Sequence, residues 1–355
     1  MTGASVFAER LARLRDRLRA WGLDGLVLPR TDEHGSEYLP PSAERVAWLT
    51  GFTGSAAHVV VLLDKAAVFS DGRYTVQLAQ QVDEALFERR HSLHHPPSRW
   101  LEENFPEGGK LAYDPFLLRK AEVERLGKLV AGKGGSLVPV SPNPLDLVWD
   151  DRPAAPVAPV AKLDERFAGE SSAEKRARIA AEIEKKGADQ LLLTGADSIA
   201  WLLNVRGADI PFNPLCLSFA LLARDGTCRW FVSPSKIPPE LHLDDAVRLE
   251  PVESFLPALD QLGGAKVLVD PAEAHVGFLE RLERAGARPV EADNPVLLAK
   301  AKKNPVEIQG AVSAQRRDGA AVVRFLAWLD RRLAEGGDGL DEIAAAERRR
   351  RRLDD

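Results

Sequence analysis

The sequence has few cysteines and no long hydrophobic run. Its 355 residues include only Cys216 and Cys228, so a disulfide framework is not expected and a reducing compartment is favoured. No run approaches the ~18 uncharged apolar residues of a membrane-spanning helix. The opening residues, MTGASVFAERLARLRDRLRAWG, are charged and amphipathic, which argues against a secretory signal. Together these absences favour a cytoplasmic protein without a membrane partner.

The sequence also lacks an excess of basic charge. It has 48 Lys and Arg against 53 Asp and Glu, for a formal net charge of −5. That balance gives no electrostatic reason to expect nucleic acid as a partner. Apolar residues make up 45% of the chain and charged residues 28%, as in globular proteins with packed cores, and the length exceeds one ordinary domain.

Two stretches of the sequence repeat the same order of predicted elements. Each has an amphipathic helix that ends at glycine, a short apolar strand, a short helix, and two strands around a turn. The first copy runs from Phe7 to Phe69 and the second from Ala173 to Val232. The same separation joins a Trp-Leu pair to a glycine in both copies, Trp48-Leu49 with Gly54 and Trp201-Leu202 with Gly207. This repeat predicts two domains of one α/β fold, each a mixed sheet with helices packed on it.

The proline-rich stretch from Trp149 to Ser172 predicts an extended linker between the two domains. A second junction falls near Asn294-Pro295. Beyond it, the apolar spacing predicts a long helix over Pro305 to Ala334 and another over Asp341 to Leu353. We therefore predict three segments, at residues 1–155, 156–295 and 296–355. Within the first, Arg73 to Phe87 has the pattern of a helix.

Several signals for chemistry are weak. GKLVAGKG, from Gly127 to Gly134, nearly spells a phosphate-binding loop but lacks the final hydroxyl and follows a helical pattern where a strand is required. The cluster His91, His94 and His95 has no regularly spaced carboxylate, and Pro96-Pro97 follows it, so a solvated loop is favoured over a metal site. Cys216 and Cys228 have no partner ligands for a metal site, so ordinary buried or edge positions are favoured for both. Acidic neighbours dilute the arginine run at 348–352, which favours a solvated helix face over a nucleic-acid or membrane tail.

Two polar segments remain as candidate functional sites. One is DEHGSEY, Asp32 to Tyr38, which belongs to an insertion of about twelve residues found only in the first copy. The other is SDGRY, Ser70 to Tyr74, which leaves a strand and opens a helix. A helix start favours anions, and an arginine there can fork onto a carboxylate or carbonyl. Physical reasoning alone favours a structural cap with a surface ion pair at Arg73.

Several strings resemble those of one enzyme family, the long-form Xaa-Pro aminopeptidases (aminopeptidase P). DEHGSEYLPP, WLTGFTGSAA and FSDGRYTVQLAQQVD resemble the first domain of that family, and LVWDDRP resembles its interdomain link. IAWLLNVRGADIPFNPLCLSFALL resembles a signature region of its second domain. The stretch from Asn294 to Asp330 resembles the helix that opens its catalytic domain. The similarity is collinear from about residue 8 to the end.

The resemblance implies two successive creatinase-N-terminal-like domains, plus the opening helices of an incomplete pita-bread catalytic domain. It also implies a cytosolic, dimeric peptidase that removes the N-terminal residue from peptides whose second residue is proline. In the family, two divalent metal ions, usually manganese, are held by aspartates, glutamates and a histidine, and they activate the attacking water.

None of that metal shell can be carried over to this sequence, whose last histidine is His275. We therefore expect no metal bound to this chain, assign no catalytic residue, and expect the chain alone to be inactive. The position that does transfer is Arg73, since the matching arginine of the family reaches towards bound peptide. The resemblance thus favours a substrate-binding role for Arg73 over the cap.

Two alternatives remain open at this stage. One is a non-catalytic peptide-binding or dimerisation module built from the front domains. The other is a related pita-bread amidinohydrolase or dipeptidase, against which stand the insertion at 31–42 and the presence of two front domains.

Overall fold

The first domain is a mixed six-stranded sheet with helices on both faces. The computed structural model describes residues 4–351, with the side chains of residues 6–348. The strands are β1 (Gly25–Pro29), β2 (His58–Leu62), β3 (Ala66–Ser70), β4 (Glu88–His91), β5 (Lys110–Tyr113) and β6 (Ser136–Pro139). The helices are α1 (Ala4–Ala20), α2 (Arg45–Thr50), α3 (Thr75–Gln81), α4 (Pro97–Asn104) and α5 (Lys120–Gly132). The strands lie in the order β4-β3-β2-β1-β5-β6.

The central strands of this sheet are buried on both faces. All five residues of β1 are buried, and so are all five of β3. Because side chains alternate along a strand, Leu26 and Leu28 join one apolar cluster with Leu14, whereas Val27 joins another with Trp100 on the opposite face. The sequence of a strand that is covered on both faces is a continuous apolar run, and this run is why β1 could be predicted from the sequence.

The second domain repeats this architecture. The strands of its six-stranded sheet are β8 (Gln190–Leu193), β10 (Phe219–Ala223), β11 (Cys228–Phe231), β12 (Val247–Glu250), β13 (Lys266–Val269) and β14 (Arg288–Glu291). They lie in the order β12-β11-β10-β8-β13-β14, which matches the first sheet strand for strand. A separate two-stranded ribbon pairs β7 (Ala161–Lys162) with β9 (Val205–Arg206). Its helices are α7 (Ser172–Lys185), α8 (Ala196–Leu203), α9 (Phe255–Asp260), α10 (Val276–Arg284) and α11 (Pro295–Ala301).

The two domains share individual hydrogen bonds as well as their topology. The Asp24 carboxylate accepts a hydrogen bond from the main-chain N–H of Lys110 at 2.8 Å, and Asp189 accepts one from Lys266 at 2.9 Å. Each of these bonds ties the residue before β1 or β8 to the first residue of the parallel neighbour, β5 or β13. The prediction of two domains of one α/β fold is confirmed.

The paired Trp-Leu helices end in the same way with different residues. Gly51 ends α2 with φ 79°, and Asn204, at the equivalent place, ends α8 with φ 52°. Glycine and asparagine are the residues that adopt this left-handed conformation most readily. A Cβ at Gly51 would also lie 2.8 Å from the Phe7 ring, so the first domain has no space there for a side chain.

Two predicted elements were wrong in extent. The helix predicted over Arg73 to Phe87 is a 3₁₀ turn, Gly72–Tyr74, followed by α3, which ends at Gln81. The Asp83 carboxylate accepts from the N–H of Ala85 and starts a turn there, so the helix cannot continue. The linker predicted over Trp149 to Ser172 has no helix or strand as far as residue 160, but it then contains β7 and the one-turn helix α6 (Glu165–Ala168).

A second compact unit comprises Leu163–Ser171 and the described residues from Lys300 onward. It contains α6, α12 (Pro305–Ala334) and α13 (Glu342–Arg351). The predicted long helix is confirmed as α12. It begins with a capping box in which Asn304 accepts from the N–H of Glu307 at 3.0 Å and Glu307 accepts from that of Asn304 at 2.9 Å. The predicted end of the last helix, at Leu353, lies outside the described residues.

Candidate functional site

Polar residues gather at one edge of the first sheet. Strands β1 and β3 run in the same direction because each pairs antiparallel with β2 between them. Their carboxyl ends therefore meet at one edge, where β1 leads into Arg30 and the segment Asp32–Tyr38, and β3 leads into Asp71–Tyr74. In open α/β sheets, this edge is the usual place for binding sites. The topology thus brings both candidate segments to the same side of the domain.

Arg73 is exposed and held by its own turn. Asp71 caps the 3₁₀ turn by accepting from the main-chain N–H of Arg73 at 3.0 Å. The same carboxylate accepts from Arg73 Nη2 at 2.7 Å. These hydrogen bonds raise the pKa of Arg73 and lower that of Asp71. The side chain of Arg73 is 67% exposed. Arg73 is therefore oriented by Asp71 but open to a ligand.

Arg30 connects the two candidate segments. Its Nη1 donates to the carbonyls of Glu37 and Ser55, at 3.0 and 3.1 Å. Ser55 Oγ in turn lies 2.6 Å from the Tyr74 hydroxyl. Arg30 Nη2 donates to Glu44 Oε1 at 2.6 Å. One buried guanidinium thus fixes the Asp32–Tyr38 segment relative to the turn that carries Arg73.

The Asp32–Tyr38 segment lies against the second domain. Asp32, only 1% exposed, accepts from the N–H groups of His34 and Ser36 and so closes a tight turn. The His34 ring stacks on Phe219 with centroids 4.4 Å apart. His34 Nδ1 lies 3.3 Å from the carbonyl oxygen of Thr194. The insertion present only in the first copy therefore forms a contact between the two domains.

A cleft of about 380 Å³ opens where the two domains meet. From the first domain it is lined by the residues from His34 to Tyr38 and by Arg119. From the second domain it is lined by the residues from Gly195 to Asp197, by the loop around Asn213, and by Glu273. Since Gly195 follows β8, this is again the carboxyl edge of a sheet.

His275 is buried beside this cleft. It is 1% exposed, and its main chain forms an isolated bridge with Arg119. Burial and the nearby Arg119 cation lower its pKa to about 4, although its hydrogen bond to the main chain of Glu33 acts in the opposite direction. Its Nδ1 has no hydrogen-bond partner among the described residues. His275 is therefore a neutral part of the interface at neutral pH.

A buried ion-pair network around Arg45 contacts the insertion through Glu33. Arg45, 2% exposed, donates through Nε and Nη2 to both oxygens of Asp146, at 2.8 and 2.9 Å, and through Nη2 to Glu33 at 3.1 Å. The hydrogen bonds and charges of these carboxylates outweigh burial and raise the pKa of Arg45. Sequence reasoning did not identify Arg45, Arg119 or His275. A comparison of the two copies could have identified Arg119 and His275 as equivalent positions. Arg119 lies five residues after Asp114, at the end of β5, and His275 lies five residues after Asp270, at the end of β13.

The described side chains do not form a metal site. No group of three or more His, Cys, Asp or Glu side chains among them could hold a metal ion. His91 and His94 do approach each other, with ring centroids 4.4 Å apart, but His95 pairs with Glu103 at 3.1 Å instead. The donor set described here does not fit a dinuclear metal centre, so no step through a metal is derived. None of the described helices has the length and apolar character needed to cross a bilayer.

Comparisons with known proteins agree with this architecture. Two family models described as the creatinase/prolidase N-terminal domain match residues 10–150 and 151–307. The chain belongs to the creatinase/prolidase N-terminal domain family. The repeated fold is thus two consecutive copies of the creatinase N-terminal domain, as the resemblance implied.

Among curated proteins, the "Probable Xaa-Pro aminopeptidase P" of Coccidioides posadasii (strain RMSCC 757 / Silveira) is 37% identical over 96% of this chain and 58% of its own length. The protein of the same name from Aspergillus clavatus is 35% identical over 96% of this chain and 54% of its own length. The chain thus spans little more than half the length of these relatives.

One solved structure is similar over nearly the whole chain. The X-prolyl aminopeptidase of Caenorhabditis elegans, described as a cytosolic enzyme with a di-nuclear active site, superposes with a TM-score of 0.85 and 28% identity. The match covers 94% of this creatinase-type chain and 57% of the C. elegans chain. The order of the domains is therefore shared as well as the fold of each one.

Proposed function

We propose that this chain provides the front domains of an Xaa-Pro aminopeptidase, an enzyme that removes the N-terminal residue from peptides whose second residue is proline. The observation that carries this proposal is the collinear match, over 96% of the chain, to curated proteins of that name. The superposition on the C. elegans enzyme supports it. We further propose a cytosolic location and two divalent metal ions in the complete catalytic assembly, which the description of the C. elegans enzyme supports. A homodimer, and manganese as the metal, are proposed from the family resemblance of the sequence.

The domain boundaries and the lack of activity of this chain by itself are further parts of the proposal. We assign residues 1–155 and 156–295 to the two creatinase-type domains and residues 296–355 to the start of a catalytic domain. The 355-residue chain alone should not hydrolyse peptides, because its described side chains offer too few converging donors for two metal ions.

The substrate-binding role proposed for Arg73 rests on its geometry. The guanidinium is exposed, preoriented by Asp71, and placed at the carboxyl edge of the sheet. A forked donor in that position can bind a peptide carbonyl or carboxylate. The fork need not leave Asp71 to do so, because the pair uses Nε and Nη2 and leaves Nη1 available.

An activity assay tests the catalytic part of the proposal. The pure 355-residue chain, with and without added Mn²⁺, should release no N-terminal residue from a peptide with proline second, whereas the full-length C. posadasii relative should release it. Manganese-dependent release by this chain would overturn the proposed inactivity. Inactivity of the relative towards the same peptide would instead remove the basis for the proposed substrate.

A binding assay tests Arg73 separately. Calorimetric titration of the chain with an Xaa-Pro peptide should give weak binding, and Arg73→Gln should weaken it by about tenfold, the usual loss for a charge-assisted hydrogen bond. Arg248→Gln, an exposed arginine of β12, is the matched control and should leave binding unchanged. Equal affinity of the Arg73→Gln and Arg248→Gln variants would contradict the role of Arg73.

A further inference from the structure

We propose that the cleft between the two creatinase-type domains binds a small zwitterion, a molecule that carries both a free ammonium and a free carboxylate group. Arg119 would bind the carboxylate and Glu37 the ammonium. α-Amino acids and short peptides with free termini belong to this chemical class. The proposal concerns residues of this chain alone and does not depend on the aminopeptidase activity proposed above.

The size and position of the cleft suit such a ligand. Its volume of about 380 Å³ lies in the range of small-molecule sites. It is bounded by segments that follow β1 in one sheet and β8 in the other, so two carboxyl edges contribute to one cavity. Sites at such edges and at domain boundaries are common in α/β proteins.

The charges on the walls carry the argument further. Arg119 and Glu37 are both exposed and both line the cleft. Neither forms an ion pair within the part of the chain that the structure describes. The carboxylates of Asp197 and Glu273 line the cleft as well, but Asp197 accepts from the N–H of Ser198 and Glu273 accepts from Asn294 Nδ2. Arg119 and Glu37 thus face the same cavity as a cation and an anion that do not pair with each other. A ligand with separated charges of opposite sign can pair with both, whereas a simple anion or cation pairs with one and is repelled by the other.

The two groups are also held in place, which lowers the cost of ordering them on binding. Glu37 belongs to the turn closed by buried Asp32, and its carbonyl accepts from Arg30 at 3.0 Å. The main chain of Arg119 is fixed by its bridge to His275 and by its N–H, which donates to Glu122 Oε2 at 2.9 Å. A Cβ at Gly35 would lie 3.7 Å from Arg119 Nη2, so the guanidinium lies directly beside this turn.

The test is calorimetric titration of the complete chain with four matched probes. L-Alanine and glycylglycine carry both charges, N-acetyl-L-alanine lacks the ammonium, and L-alanine amide lacks the carboxylate. The titrations should extend to roughly 50 mM, since a ligand with so few atoms is expected to bind in the millimolar range. We expect saturable binding of the zwitterions, and binding of the two blocked probes weaker by about tenfold or more. The ratio of alanine to glycylglycine then separates a free amino acid from a peptide as the preferred ligand.

Two variants connect the binding to the cleft. Arg119→Gln and Glu37→Gln should each weaken zwitterion binding by about tenfold. Arg248→Gln and Glu124→Gln, exposed residues outside the cleft, should have no effect. Equal binding of a blocked probe, or full binding by both cleft variants, would overturn the proposal, and so would the absence of saturable heat from every zwitterion. Because the four residues are exposed, the variants should unfold at the temperature of the parent chain, and this comparison shows whether a loss of binding reflects the site.

Discussion

Lys175 lies over the ring of Trp201, with Nζ 4.5 Å from the ring centroid, and donates to the carbonyl of the same residue at 3.2 Å. The first domain repeats this arrangement with Arg10, whose guanidinium carbon lies 4.6 Å from the Trp48 centroid and whose Nη1 donates to the Trp48 carbonyl at 2.7 Å. Arg10 and Lys175 both lie twelve residues before the glycine that follows their helix. A cation fixed on the repeated tryptophan is thus part of this domain fold.

Replacing Lys175 should destabilise the second domain. Lys175 is 2% exposed and also donates to Asn204 Oδ1 at 2.7 Å. Lys175→Met retains most of the side-chain volume but removes the charge, so we expect a loss of about 2 kcal/mol in the free energy of unfolding. Urea unfolding followed by tryptophan fluorescence measures this loss. Lys185→Met, on the exposed end of the same helix, is the control and should change stability by less than about 0.5 kcal/mol. Equal midpoints for the two variants would contradict the prediction.

The stability of the chain should fall in mild acid because of His275. Its folded pKa of about 4 lies below the ordinary value of 6.5, so the unfolded chain binds this proton more readily. The contribution of His275 to the free energy of unfolding is complete above pH 6.5. It is lost as the pH falls from 6.5 to about 4, by about 3 kcal/mol in total. Unfolding measured across this window should show the slope. Arg119, Asp32 and Glu122 are the charges that act on the ring.

Substitution identifies the source of that slope. His275→Gln keeps a hydrogen-bond donor but cannot titrate, so the slope between pH 4 and 6.5 should become shallower. Burial also lowers the pKa of His58, and that contribution should persist in the variant. Val76→Gln, at an exposed position that cannot titrate, should leave the slope as it is in the parent chain. An unchanged slope in His275→Gln would show that other groups produce it.

The long helix α12 should promote self-association. No residue of α12 is buried, and Ile308, Val323, Leu326 and Leu333 are between 48% and 65% exposed. An apolar surface of this kind on one helix favours association. Sedimentation of the Val323→Gln, Leu326→Gln double variant should show less association than the parent chain, while Val76→Gln, an exposed valine of the first domain, should not. A monodisperse monomeric parent, with hydrogen exchange in α12 as slow as in the two sheets, would contradict this prediction.

Substitution of Asp71 should lower the thermal stability of the chain, whereas substitution of Arg73 should not. Asp71→Ala removes the acceptor that caps the 3₁₀ turn and should lower the thermal midpoint. Arg73→Ala leaves that main-chain bond intact and removes an exposed side chain, so the midpoint should stay within error. Differential scanning fluorimetry measures both variants. A lower midpoint in Arg73→Ala than in Asp71→Ala would indicate that the guanidinium acts mainly as a structural group.

The sequence by itself determined the repeat and the class of fold. Apolar runs such as Leu26–Leu28 and Leu191–Leu193, glycines at helix ends, and the shared Trp-Leu spacing are local signals, and local signals survive in a single sequence. The polar edge strands β4, β6, β12 and β14 were not predicted, because they have little apolar periodicity and form by pairing with neighbours. The helix predicted as far as Phe87 was wrong because a single aspartate, Asp83, starts a turn within an otherwise helical pattern.

Only the tertiary structure decided which polar residues share a site. Arg119 and Glu37 are 82 residues apart in the chain, and the other wall of their cleft comes from the second domain. The burial of His275 likewise depends on the contact between the two domains. Hydrophobic periodicity is written along the chain, whereas a cavity and its charges arise only when distant segments are packed together.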